Sequence, residues 1–115
     1  MLKYSFAFLD KFKKDYKDAK KKNLTLDTDF EEFLNMFNPT KGDTVSGTNG
    51  AQKIRMPRAN KGKSGGYRVY YFFLVGEKIY LLRLFAKSEQ DELSIKEKIQ
   101  MAEIIKAIQR NDGES

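Results

Sequence analysis

The sequence predicts an α+β domain of two helices, an antiparallel sheet of three to four strands, and a last helix. Three observations carry that expectation. Apolar residues recur at helical spacing ahead of Pro39 and again after Ser94. Between them stand two aromatic and β-branched runs, Tyr67 to Val75 and Lys78 to Ala86, separated by a short turn containing Gly76. The length, 115 residues, suits a single domain over residues 1–115, with residues 111–115 frayed.

Residues Phe6 to Lys22 read as the first helix. Phe8, Phe12, Tyr16 and Ala19 share a stripe that Leu9 joins. Lys20, Lys21 and Lys22 suit a helix C-terminus, and Asn23 ends it. Thr28 and Glu31 have capping-box spacing for the second helix, whose apolar face is Phe30, Phe33, Leu34 and Phe37 and which Pro39 stops. Thr40 to Gly50 has loop chemistry, with a short edge strand at Thr44–Ser46. Gln52 to Pro57 alternates, Lys53 and Arg55 on one side and Ile54 and Met56 on the other. Ala59–Gly66 is a basic, glycine-containing connection. Ser94 and Glu97 form a second capping box, opening a helix from Ile95 to about Gln109 with Ile95, Ile99, Ala102, Ile105 and Ile108 on its stripe.

Composition excludes several kinds of chemistry. Without cysteine there is no disulfide and no thiolate nucleophile, which fits a reducing, cytoplasmic setting. Without histidine the usual metal ligand and near-neutral base are missing, so neither metal nor cofactor is expected. No apolar run approaches the ~18 residues of a membrane span, and the opening MLKYSFAFLDKFKKDYK carries no small-residue cleavage site, so no signal peptide is expected. Gly62-Lys63-Ser64 echoes a P-loop, but Pro57 stands where its first glycine belongs. Glu89, Asp91 and Glu92 read as carboxylates ahead of a helix.

The formal charge is +6, and its placement says more than its size. No acidic residue lies between Asp43 and Glu77, where Lys53, Arg55, Arg58, Lys61, Lys63 and Arg68 all fall. The rest of the chain is neutral. A single-sign block of this kind marks a polyanion site, with a merely solubilising surface as the alternative. A two-residue turn at Gly76-Glu77 would set Val75 opposite Lys78, Tyr70 opposite Arg83 and Arg68 opposite Phe85. Arg68, Tyr70 and Phe72 then share an exposed face with Leu81, Arg83 and Phe85. Lys87 continues that face, and Lys53 and Arg55 join it if Ile54 and Met56 turn to the core. Val69, Tyr71, Phe73 and Val75 oppose Leu84, Leu82 and Tyr80 on the apolar face. On the first face cations hold phosphates while Tyr70 and Phe85 stack on bases. Arg83, among leucines, reads equally as an RNA contact or a satisfied structural arginine.

The stretch GTNGAQKIRMPRANKGKSGGYRVYYFFLVGEKIYLLRLFAKSEQDEL, Gly47 to Leu93, resembles the RelE/HigB toxins of bacterial type II toxin–antitoxin modules, most of all the phage-related HigB branch. It shares that branch's "G-x-x-K-x-R … G-K-x-G-G-x-R" run, the hairpin after it, and the acidic turn into the last helix. The resemblance implies a RelE-like fold, two N-terminal helices packed on a small twisted antiparallel sheet with a C-terminal helix. It implies an mRNA interferase, an endoribonuclease that cuts messages on the ribosome, with contacts to 16S rRNA and a cognate antitoxin protein as partner. Family cleavage is metal-independent: the ribose 2′-hydroxyl attacks the neighbouring phosphate. Carried over residue by residue, it places catalytic side chains at Lys53, Arg55, Arg68 and Lys87 and phosphate contacts at Arg58, Lys61 and Lys63. Fixed cations suit a transition state that gathers charge on phosphorus. Clustered lysines make Lys53 or Lys87 the choice for base and leave Arg68 for the phosphate. Many relatives carry a tyrosine where this chain has Phe85, and RelE proper has one where this chain has Leu93, which leaves Tyr70 as the alternative proton carrier. A non-catalytic RNA-binding protein or inactive relative is the second reading. A DNA-binding regulator is the third, with no helix-turn-helix pattern to support it.

Overall fold

The chain runs β1 (Ser5–Phe8), α1 (Asp10–Lys22), α2 (Leu26–Met36), a 3₁₀ turn at Pro39–Lys41, β2 (Asp43–Thr44), β3 (Gln52–Met56), β4 (Tyr67–Leu74), β5 (Lys78–Ala86) and α3 (Ile95–Gly113). The computed structural model describes residues 3–57, 66–74, 76, 78–90 and 92–113. Its strands form one five-stranded sheet in the order β1-β5-β4-β3-β2. β1 lies parallel to β5 and the other neighbours are antiparallel. The fold class is thus α+β, with a mixed sheet of five strands where three or four antiparallel ones were expected.

The difference lies at the N-terminus. Ser5-Phe6-Ala7-Phe8 alternates at period two, and Phe6 turns inward to meet Phe37 edge-on at 5.7 Å. The segment completes β5's edge, and the Leu9 N–H extends the pairing to the Leu81 carbonyl at 3.1 Å. The helix therefore begins at Asp10, not Phe6. The spacing of Phe8 and Phe12 imitated a helical stripe because the strand ends where the helix starts; their rings still meet at 6.0 Å.

Asn23 does end α1, and its side chain also starts α2. Its Oδ1 accepts from the Thr25 N–H at 3.1 Å and the Thr25 hydroxyl at 2.9 Å, while its Nδ2 donates to the Tyr67 hydroxyl at 3.0 Å. With those groups satisfied the helix opens at Leu26, which leaves Thr28 inside it and the expected Thr28–Glu31 box unformed. The second box does form: the Ser94 N–H donates to Glu97 Oε1 at 2.8 Å and the Glu97 N–H to Ser94 Oγ at 3.1 Å. The edge strand also shifts, to Asp43–Thr44 from Thr44–Ser46.

The sheet separates two cores. α1 and α2 bury Phe12, Leu26, Phe33 and Phe37 against Met56, Val69, Tyr71, Ile79 and Leu81. α3 buries Met101 and Ile105 against Tyr70, Phe72 and Leu82, with Leu93 closing the end. Each such side chain contributes about 1.5–3 kcal/mol of transfer free energy. Its inward stripe is Met101, Ile104, Ile105 and Ile108; Ile95 and Ile99, expected inside, are 78% and 54% exposed. The helix runs on to Gly113, beyond the expected end near Gln109 and into the segment expected to fray.

Arg68 stands opposite Phe85 and Tyr70 opposite Arg83, as the turn-based reading has it. Between Tyr70 and Tyr71 the register slips, and Leu74, not Val75, stands opposite Lys78. Val75 and Glu77 themselves lie outside the described residues. One extra residue on β5 rotates the strand locally, so Leu81 enters the first core and Leu82 the second, the reverse of the expected assignment.

Candidate nucleic-acid interface

β-pairing assembles the cations. Lys53 stands opposite Tyr70, Arg55 opposite Arg68, and Arg68 opposite Phe85, so these side chains share the α3 face of three adjacent strands. Ile54 and Met56 face the first core, which fixes Lys53 and Arg55 on this side. Lys87 follows where β5 ends, its N–H bonded to the Gly66 carbonyl at 3.1 Å. All four predicted catalytic positions thus fall at one end of the sheet. Arg58, Lys61 and Lys63 lie outside the described residues.

Arg55 and Arg68 are directly opposed, so their Cβ atoms are about 4.5–5.5 Å apart, a placement that disfavours like charges. Gly66 keeps room for this arrangement. A Cβ there would come within 3.1 Å of Arg55 Nε and 3.3 Å of the Met56 carbonyl oxygen. The Arg68 guanidinium is close enough to the Tyr70 hydroxyl for its charge to act on it. Burial raises the Tyr70 pKa above the ordinary phenol value, an effect that nearby Glu97 and Glu92 reinforce and Arg68 only partly offsets. Tyr70 is therefore a neutral hydrogen-bond donor at pH 7.

Two expected RNA contacts have other roles. α3 covers Tyr70, leaving it 2% exposed, so its ring cannot serve as a stacking platform. Arg83 is a clamp. Its Nε and Nη2 donate to the two oxygens of Asp15 at 2.7 and 3.1 Å, and Nη1 lies 3.8 Å from Glu97 Oε2. Asp15 Oδ2 accepts the Leu84 N–H as well, at 2.9 Å, capping a stretch of β5 that four-residue β1 is too short to pair. Arg83 joins α1, β5 and α3, and its guanidinium lies 4.5 Å from the Phe85 ring centre. Phe85 is half-buried, meets the Tyr70 ring edge-on at 5.8 Å, and stays at the margin of the site.

The structure adds two residues that strand alternation does not reach. Glu92 and Lys98 line a small pocket with Lys53 and Tyr70, brought there by the turn into α3. Among the described residues no group of three or more acidic side chains is placed to hold a metal ion, and no helix is long and apolar enough to cross a membrane.

An α+β domain with basic residues on the open end of its sheet is the architecture; sequence comparison supplies the family. The family model described as the RelE toxin of the RelE/RelB toxin–antitoxin system matches residues 8–115, and the chain belongs to that family. Among solved structures, a double arginine-to-alanine variant of the E. coli toxin RelE in its free state is 16% identical. The alignment covers 79% of this chain and 90% of that one, with a TM-score of 0.46.

Proposed function

We propose that this RelE-family toxin is an mRNA endoribonuclease that acts on the ribosome and cleaves by metal-independent attack of a ribose 2′-hydroxyl on the adjacent phosphate. One observation carries the reading: Lys53, Arg55 and Arg68 stand side by side on neighbouring strands, with Lys87 at the strand end. Such an array of fixed cations suits a phosphorane-like transition state, because positioned charge needs no rearrangement as the negative charge grows.

On this reading Arg68 and Arg55 hold the non-bridging oxygens. Lys53 or Lys87 accepts the 2′-hydroxyl proton as the new O–P bond forms. The bond to the 5′ oxygen breaks, that oxygen takes up a proton, and the products are a 2′,3′-cyclic phosphate and a free 5′-hydroxyl. Tyr70, neutral and a donor, is the one hydroxyl among the expected site residues. Arg58, Lys61 and Lys63 extend the proposal to flanking phosphates, and Phe85 offers the exposed part of its ring to a base. The partners are mRNA on the ribosome with its 16S rRNA, and a cognate antitoxin; the setting is the cytoplasm. The nearer likeness to the HigB branch belongs to the same proposal.

The test is to add the purified protein to ribosomes stalled on a defined message and map the ends. Cleavage in EDTA that leaves cyclic phosphate and 5′-hydroxyl ends is the expected result. Intact message under those conditions overturns the nuclease reading. A second reading, RNA binding without catalysis, draws on Phe85 and Leu93. Both are hydrocarbon side chains where relatives of this type carry tyrosine, and Leu93 is buried in the α3 core at 8% exposure.

A further inference from the structure

We infer that the pocket between β3 and the start of α3 is a second phosphate subsite, in which Lys98 and Lys53 together bind an RNA backbone phosphate next to the one being cleaved. The inference rests on the RNA reading above and adds a residue from a different element.

The pocket holds about 60 Å³ and is lined by Val45, Lys53, Tyr70, Glu92, Leu93 and Lys98. That is more than one water needs and leaves room for a small anionic group. Two ammonium-bearing side chains reach it from separate elements, Lys53 from β3 and Lys98 from the first turns of α3. Both are half-buried, whereas Lys96 and Lys106 on the same helix are exposed. Among the described residues neither Lys53 nor Lys98 is ion-paired with a carboxylate. Asp43 stands opposite Lys53 on β2 and Glu92 shares the lining, yet neither is within ion-pair distance of the two ammonium groups; partial burial of an unpaired ammonium is unfavourable, and a bound anion relieves it. The apolar sides of Val45 and Leu93 lower the local dielectric and strengthen that attraction. The Tyr70 hydroxyl, kept neutral, can donate to an anion there. Glu92, exposed at the rim, is the single carboxylate of the lining, so two cations face one anion.

Lys53 links this pocket to the catalytic row, since it stands next to Arg55 on β3 while its opposite neighbour Tyr70 forms part of the pocket wall. A strand of RNA crossing the row from Arg68 toward α3 would bring consecutive phosphates to the two places. In this arrangement Lys53 stays charged and Lys87 is left as the base; Lys98 is a binding residue, and α3 a wall of the site as well as a cover for the core.

The experiment titrates the full chain with a short RNA made uncleavable by 2′-O-methylation, over a series of salt concentrations. Lys98→Gln should weaken binding about threefold to tenfold and reduce the slope of log K against log salt by about 0.7, the loss expected for one single-strand phosphate contact. Lys98→Arg should restore both, Glu92→Gln should tighten binding, and Lys106→Gln should behave as wild type. If Lys98 merely props Glu92, Lys98→Gln and Glu92→Gln would both lower the melting temperature and leave the salt slope untouched. That result, or wild-type binding by Lys98→Gln in a protein that still cleaves message, overturns the subsite alone. A wild-type chain that neither binds nor cleaves RNA removes the functional reading and the subsite together.

Discussion

Two arginines one strand apart on the same sheet face have different neighbours. Arg83 on β5 is gripped by both oxygens of Asp15, approached by Glu97 and 18% exposed at its side chain. Arg68 on β4 stands opposite another arginine and beside the Tyr70 phenol. The sheet positions both with equal regularity, and for Arg83 the Asp15 carboxylate sets the role. A guanidinium already given a bidentate carboxylate has little left for a phosphate, and it serves to hold three elements together. A guanidinium set beside another cation raises a local potential that an incoming polyanion lowers.

The sharpest way to break that contrast is to remove each arginine in turn. Arg68→Ala should cut message cleavage about 10²- to 10³-fold, comparable to losing one transition-state donor, and change stability by no more than about 1 kcal/mol. Full activity in that variant would sink the site assignment. Arg83→Ala should do the reverse. It leaves Asp15 and Glu97 without their cation and should cost about 3 kcal/mol in denaturant unfolding, with cleavage per folded molecule near wild type. A stable but inactive Arg83→Ala protein would return Arg83 to the RNA site.

Gly66→Ala tests the opposed pair more gently. The new methyl crowds Arg55 Nε and the Met56 carbonyl, so the guanidinium must move. Cleavage should fall roughly tenfold, as expected for a modest misplacement of a positioned group, and single-turnover rates would reveal it. The smallest effect concerns the Arg83 cluster in acid. Burial by itself raises the Glu97 pKa. The bonds from the Ser94 N–H, the Gln90 amide and the Ser94 hydroxyl, with the Arg83 charge, outweigh it and bring the value below the ordinary one. Its contribution to stability is complete above the unfolded carboxylate value, near 4.3, and disappears as pH falls through the lower folded value. Glu97→Gln should therefore flatten the acid limb of melting temperature against pH between about pH 5 and pH 3.

Much of this molecule was legible in one dimension where the relevant contacts are local. The Ser94–Glu97 box spans three residues and forms as written. The pairing of Arg68 with Phe85 and Tyr70 with Arg83 came out as read only because the slip between Tyr70 and Tyr71 makes good a connection one residue longer than the expected turn. Reading failed where a distant partner intervened. Thr28 lost its cap role because Asn23 is held by Tyr67, 44 residues on. Phe6 and Phe8 became a strand because β5 offered an edge more than 70 residues later. Ile95 and Ile99 are four apart and share a face with each other, but at 3.6 residues per turn they point roughly 80° and 120° away from Ile105, and α3 meets the sheet through Met101 and Ile105. The two readings of Arg83 were separable only by Asp15, 68 residues away.

The parallel seam between the first and last strands has a consequence for how the protein is made. Ser5 pairs with Lys78 and Phe8 with Leu81, so the growing polypeptide cannot close its sheet until most of it has left the exit tunnel. The Asp15–Arg83 clamp waits for the same moment. Contacts this far apart along a chain slow folding. Products of interrupted translation that stop before β5 would lack the seam, the clamp and Lys87 together, and a toxin built this way comes of age only once β5 has been made.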